Sequence, residues 1–128
     1  MPKCIGIADL NRLNRTYFSD VLRHFGYDVF LAISGPDLVR QSLVQQPDVL
    51  MLHMTLPELT ISQSIDLIRS KDALAIVPII VHTSHMHGKE ITAEMMALGI
   101  ADFVQIPLGI NELWALMDRV IGRAVIHN

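Results

Sequence analysis

Short apolar runs alternate five times along this chain with longer stretches whose apolar residues recur every three or four positions. The runs are Cys4–Ala8 (CIGIA), Asp28–Ile33 (DVFLAI), Asp48–His53 (DVLMLH), Val77–Val81 (VPIIV) and Ala101–Ile106 (ADFVQI). Their length and lack of a polar face predict buried strands, the third being the most central. Pro78 falls near the start of its run, where a missing N–H is tolerated.

The intervening stretches predict helices. Asn11 to Phe25 carries Leu13, Tyr17, Val21, Leu22 and Phe25 at helical spacing and stops at Gly26. Gly35–Pro36–Asp37 opens a second helix with Leu38, Leu43 and Val44, closed by Pro47. A third holds Ile61, Ile65, Leu67 and Ile68, and a fourth, Gly88–Leu98, has few apolar anchors. The fifth, Ile110–Ala124, has a stripe of Leu113, Leu116, Met117, Val120, Ile121 and Ala124. Strand-then-helix units in succession imply a doubly wound parallel sheet in a single domain spanning residues 1–128.

Composition agrees with that picture. Apolar residues make up 51% and charged residues 18% of 128, which suits a sheet covered on both faces. The net charge is −3 and no cluster of Lys and Arg occurs, so no nucleic-acid surface is expected. No run reaches membrane-spanning length and no leader is evident, so a cytoplasmic protein is expected. The single cysteine, Cys4, reads as a small buried hydrophobe, not a reactive thiol.

Ligands of such sheets bind beyond the carboxyl ends of the strands. That rule selects Ala8, Asp9 and Leu10, then His53 to Pro57, Thr83 to His87, and Ile106–Pro107. Three of these ends, PDVLMLHMTLPE, VPIIVHTS and ALGIADFVQIPL, resemble the response-regulator receiver family, in order and over essentially the whole chain. The resemblance implies a flavodoxin-like three-layer sandwich with strand order 2-1-3-4-5 and five helices. It also implies signalling by phosphoryl transfer to an aspartate after the third strand. Mg²⁺ there would be held partly by two acidic residues after the first strand, with a lysine after the fifth strand and a Thr or Ser after the fourth contacting the phosphoryl group.

The sequence departs from that set. The acceptor position, four residues before Pro57, is His53; the first acidic position is Ala8, leaving only Asp9; the lysine position is Ile106. Thr83 remains, and Phe103 holds the family's aromatic switch position. One carboxylate should hold hydrated Mg²⁺ poorly, and an isoleucine cannot neutralise a phosphoryl group. The chain is therefore expected to resemble pseudo-receivers, which keep the fold and signal by contact, with no cofactor and no catalytic residue. No Gly-rich phosphate loop or nucleophile–base pair points to an enzyme.

Several roles stay open. His53 can fill the vacated pocket, pair with Asp9 as a pH-sensitive lock, or itself accept a phosphoryl group. Asp9 can pair with His53 or cap the following helix. His82, His85 and His87 are rich in metal-ligand nitrogen, but strand alternation is expected to turn His82 away from the pocket, and no metal site is assigned. A ligand or metal sensor built on Asp9, His53 and His85 is the rival to a contact module. Thr83 can meet an anion or bond local backbone. The Ile106–Pro107 bond is expected to be cis by the resemblance. Partner binding, including a homodimer, is expected on the fourth helix, fifth strand and fifth helix. Met95, Met96, Phe103 and Trp114 are the candidate contacts, with core as the alternative.

Overall fold

A computed structural model describes residues 2–122. Its strands are β1 (Cys4–Ala8), β2 (Asp28–Ala32), β3 (Val49–His53), β4 (Ile79–Thr83) and β5 (Asp102–Gln105). They form one parallel sheet in the order β2-β1-β3-β4-β5. The helices are α1 (Arg12–His24), α2 (Gly35–Gln45), α3 (Ile61–Arg69), α4 (Lys89–Met96) and α5 (Ile110–Ile121). Ala124, expected in the last helix, lies outside the described residues.

Local chemistry sets the helix starts. The Asn11 side chain accepts the Asn14 N–H, and Ser34 accepts that of Asp37 just after Pro36. Thr60 and Gln63 cap α3 reciprocally. After α1, Gly26 turns the chain toward β2 at φ 96°, a conformation that strains any residue with a Cβ.

The fourth strand is displaced from its predicted Val77–Val81. Pairing begins after Pro78, whose carbonyl accepts the Leu50 N–H, and runs on through His82 and Thr83. Proline donates nothing to a ladder, so the strand begins two residues later than predicted, at Ile79, and ends two residues later, at Thr83.

Side-chain alternation divides the core into two layers. Ile5, Ile7, Met51 and Ile80 face α1 and α5, where they meet Phe18, Leu22, Leu113, Leu116 and Met117. Ala8, Leu50, Leu52, Ile79 and Val81 face the other way, onto Leu38, Ile65, Ile68 and Met95 of α2, α3 and α4. Gly6 is needed in β1 because a Cβ there would lie 2.3 Å from Phe30 Cζ.

The helix stripes differ from the predicted ones. On α1 the buried positions are Phe18, Ser19 and Leu22, while Leu13 is 79% exposed and Tyr17 sits at the surface. On α2 they are Leu38, Val39 and Ser42, with Leu43 and Val44 exposed. Small serines take inward positions where helix and sheet approach closely, and that rotates the buried face away from the purely apolar pattern.

Candidate functional site

The carboxyl ends of β1, β3 and β4 meet at one rim. Asp9 follows β1 by two residues from Ile7, His53 ends β3 two residues from Met51, and His82 lies two residues from Ile80. All three therefore project to the α1 and α5 side. His53 and His82 are also direct partners in the β3–β4 register, and such partners point the same way.

This parity corrects two expectations. His82 does not turn away from the pocket; it is fully buried within it. Asp9 bonds His82, not His53: Asp9 Oδ2 lies 2.8 Å from His82 Nε2. Asp9 also accepts the Asn11 N–H at 2.8 Å on Oδ1 and Asn14 Nδ2 at 3.0 Å on Oδ2. Asn11, not Asp9, supplies the α1 cap. The Phe18 ring closes one side of His82 and the His53 ring stands nearly perpendicular to it on another.

Burial lowers the pKa of His82, and the hydrogen bond and charge of Asp9 only partly oppose this. The imidazole is therefore neutral, donating Nε2–H to an ionised Asp9. Burial pushes the Asp9 carboxyl up, but the bonds from His82 and Asn11 outweigh it and hold the group below its ordinary value. His82 Nδ1 is buried with no hydrogen-bond partner among the described residues.

His53 is half-buried and bonds its own loop and the end of β4. Its Nδ1 lies 3.0 Å from the Thr55 N–H and its Nε2 lies 3.2 Å from Ser84 Oγ. In the neutral ring, Nδ1 accepts from Thr55 and Nε2–H donates to Ser84.

Thr83 belongs to the opposite layer. Its Oγ1 accepts the His85 N–H at 3.2 Å and lies 3.0 Å from His87 Nε2, so its bonds are local. His87 stacks at a tilt on Phe103, with ring centroids 5.7 Å apart. His85 is exposed. Among the described residues, no three His, Cys, Asp or Glu side chains converge as a metal site needs.

Ile106 is buried in the α1–α5 layer, joined to Pro107 by a cis bond. It forms part of a cleft of about 640 Å³ between α1 and the β5–α5 connection, lined also by Leu13, Tyr17, Phe18, Pro107 and Leu108. Asn14 and Ser84 supply polar edges. Tyr17 reaches across it to donate to the Leu108 carbonyl at 2.5 Å.

On the α4–β5–α5 side, Met95 is buried, Phe103 and Trp114 are half-buried, and Met96 is 42% exposed. Arg119 pairs with Asp102 across this side at 2.5 Å.

Sequence reasoning placed the rim, Ser84 included, but turned His82 away from it and did not single out Asn14. The usable signal for His82 was parity: it stands an even number of residues from Ile80, as His53 does from Met51.

Residues 5–118 match the model of the response regulator receiver domain. The chain belongs to that family. Receiver domains are modules of two-component signalling, and the relatives agree. A polar-differentiation response regulator, DivK of Brucella anthropi, is 28% identical over 97% of this chain and all of its own length. The transcriptional regulatory protein CrdR of Helicobacter pylori is 26% identical, matching 93% of this chain and 55% of CrdR. Among solved structures, the receiver domain of the Pseudomonas aeruginosa sensor histidine kinase PA1611 superposes with a TM-score of 0.83 at 28% identity, covering 95% of this chain and 99% of that one. Vibrio cholerae CheY4 reaches 0.86 at 21% identity, covering 94% and 99%, a likeness of fold.

The Pseudomonas receiver is described with Mg²⁺ in its active-site cleft. The residues of this receiver do not suit that ion. Ala8 offers no side-chain oxygen, position 53 offers nitrogen, and the Asp9 carboxylate is already bonded to His82, Asn11 and Asn14. Mg²⁺ demands near-octahedral oxygen ligation. Among the described residues, no helix is long and apolar enough to cross a membrane.

Proposed function

We propose that this receiver signals through protein contact without taking up a phosphoryl group, as a non-enzymatic pseudo-receiver. One observation carries the reading: the acidic side chain that follows β1, Asp9, is bonded to a buried histidine beside a nucleophile position that holds His53. Acyl phosphate formation needs an attacking carboxylate and a cation to neutralise the transferring oxygens. Ala8, Asp9, His53 and Ile106 together supply neither, and Thr83 is engaged within its own loop.

The proposed contact face is α4, β5 and α5, with Met96 at its surface and Phe103, Met95 and Trp114 behind it. Its partner is a protein: an output domain, a kinase or a second copy. Neither a membrane nor a nucleic acid is proposed as a direct partner, and the proposed location is the cytoplasm.

A ligand or metal sensor at Asp9, His53 and His85 is the competing reading. A thermal-shift series with Mg²⁺, Zn²⁺, nucleotides and acetyl phosphate distinguishes the two, since whatever binds the folded state raises its melting temperature. An unchanged melting temperature in every arm is expected. A concentration-dependent rise with any of them would replace contact signalling by ligand sensing.

A further inference from the structure

The loop from β4 to α4 concentrates soft donor atoms on the side of the sheet away from Asp9. His85, Met86 and His87 are consecutive, and all three line one small cavity of about 110 Å³. Thr83, Thr92 and Phe103 form part of its wall. Among the described residues, its lining holds neither a carboxylate nor a thiol. Met86 is 83% exposed, whereas Met51, Met95 and Met117 are buried. Its thioether therefore fills no core, and the polarisable sulfur stays available as a ligand.

His87 is already oriented. Its Nε2 lies 3.0 Å from Thr83 Oγ1, and its ring packs on Phe103 with centroids 5.7 Å apart. Thr83 Oγ1 also accepts the His85 N–H at 3.2 Å, so one hydroxyl ties both histidines to the end of β4. An imidazole that donates Nε2–H to an oxygen keeps a lone pair on Nδ1. Metal-binding histidines are commonly held in this way through their other nitrogen.

The donor set selects the class of ion. As ligands, two imidazoles and a thioether bring no negative charge. Mg²⁺ and Ca²⁺ require oxygen, and structural Zn²⁺ takes four ligands, commonly with thiolate among them. A thioether favours Cu(I), a soft monovalent ion. Only two histidines are used, which agrees with the absence of three converging His, Cys, Asp or Glu side chains among the described residues. We propose that His85, Met86 and His87 bind Cu(I), with Thr83 as a positioning residue. The ion binds with no change of oxidation state. The site includes neither Asp9 nor His53, and it goes beyond contact signalling. Because His87 packs on Phe103 and the loop enters α4 directly after Gly88, loading fixes one corner of the α4–β5–α5 side.

The test is an anaerobic titration of the full chain at neutral pH with Cu(I) against a chromophoric Cu(I) chelator, and with Ag⁺ as a redox-inert probe read by NMR. One ion per chain is expected. Ag⁺ is expected to shift the Met86 methyl group and the ring nitrogens of His85 and His87, leaving those of His53 and His82 in place, with His87 bound through Nδ1 and protonated on Nε2. Met86→Leu, His85→Gln and His87→Gln should each weaken binding about tenfold or more. Thr83→Val, which keeps the side-chain volume, should weaken it about tenfold, and Thr83→Ser should restore it. Cys4→Ser and His24→Gln should bind as the wild type does. Circular dichroism checks that each variant is folded. Wild-type affinity in Met86→Leu or in either loop-histidine variant, loss of binding in Cys4→Ser, or no binding at all would overturn the site. Unchanged affinity in Thr83→Val would remove its positioning role. Zn²⁺ bound as tightly as Cu(I) would overturn the assignment to a soft ion.

Discussion

Nε2 of His82 lies 2.8 Å from Oδ2 of Asp9, and neither residue is more than 2% exposed. A buried carboxylate beside a buried imidazole is tolerable because Asn11 and Asn14 supply two further hydrogen bonds to it. In the proposed reading, the bond also competes with any cation for that carboxylate.

The pair gives stability a defined pH dependence. An unfolded chain protonates His82 below about pH 6.5, whereas the folded chain resists until a lower pH. The unfolded state then binds more protons, so stability falls as pH drops from about 6.5 toward the folded value. The Asp9 contribution is full above the unfolded carboxyl value and is lost only at still lower pH, as its depressed folded value is crossed. Urea midpoints are expected to be lower at about pH 5 than at about pH 7.5, with a smaller difference in His82→Gln. Equal differences in both proteins would contradict the assignment to His82.

Restoring oxygen ligands should restore cation binding. The double substitution Ala8→Asp with His53→Asp is expected to gain a Mg²⁺-dependent rise in melting temperature that wild type lacks. No gain would mean that Asp9, held by His82, blocks the site even when other carboxylates are present.

The revised helix faces predict opposite outcomes at neighbouring leucines of α1. Leu22→Ala removes a fully buried side chain and should cost about 2–5 kcal/mol. Leu13→Ser, at a largely exposed position, should change stability by no more than about 0.5 kcal/mol. Chemical denaturation of both variants checks this, and comparable losses would restore Leu13 to the core.

Cys4 is half-buried, and burial together with Asp28 and Asp48 pushes its thiol up to about 11. Thiolate, not thiol, is the reactive form. Alkylation at neutral pH is expected to be much slower in the folded protein than in urea, followed by mass. Rates matching a free cysteine would place Cys4 in solvent.

The five strands were legible because apolar runs without a polar face have few other uses, and their order was what the family resemblance implies. The helix faces were less so. Ser19, Ser42 and Ser64 are buried where helices lie close to their neighbours, and no hydrophobicity pattern marks them. The rim was found from strand ends, but its pairing was not. Pro78 delays β4 to Ile79, and that delay, invisible in composition, brings His82 and Thr83 into the strand on opposite faces. Once the register is known, alternation puts Asp9, His53 and His82 on one side of the sheet, and the hydrogen-bond geometry selects His82.

The most direct test of contact signalling without phosphoryl transfer is intact mass after incubation with Mg²⁺ and acetyl phosphate. The expected spectrum is that of the unmodified chain, with the triple variant Ala8→Asp, His53→Asp, Ile106→Lys as the responsive control. A magnesium-dependent, hydroxylamine-labile phosphoryl adduct on the wild-type chain would contradict it.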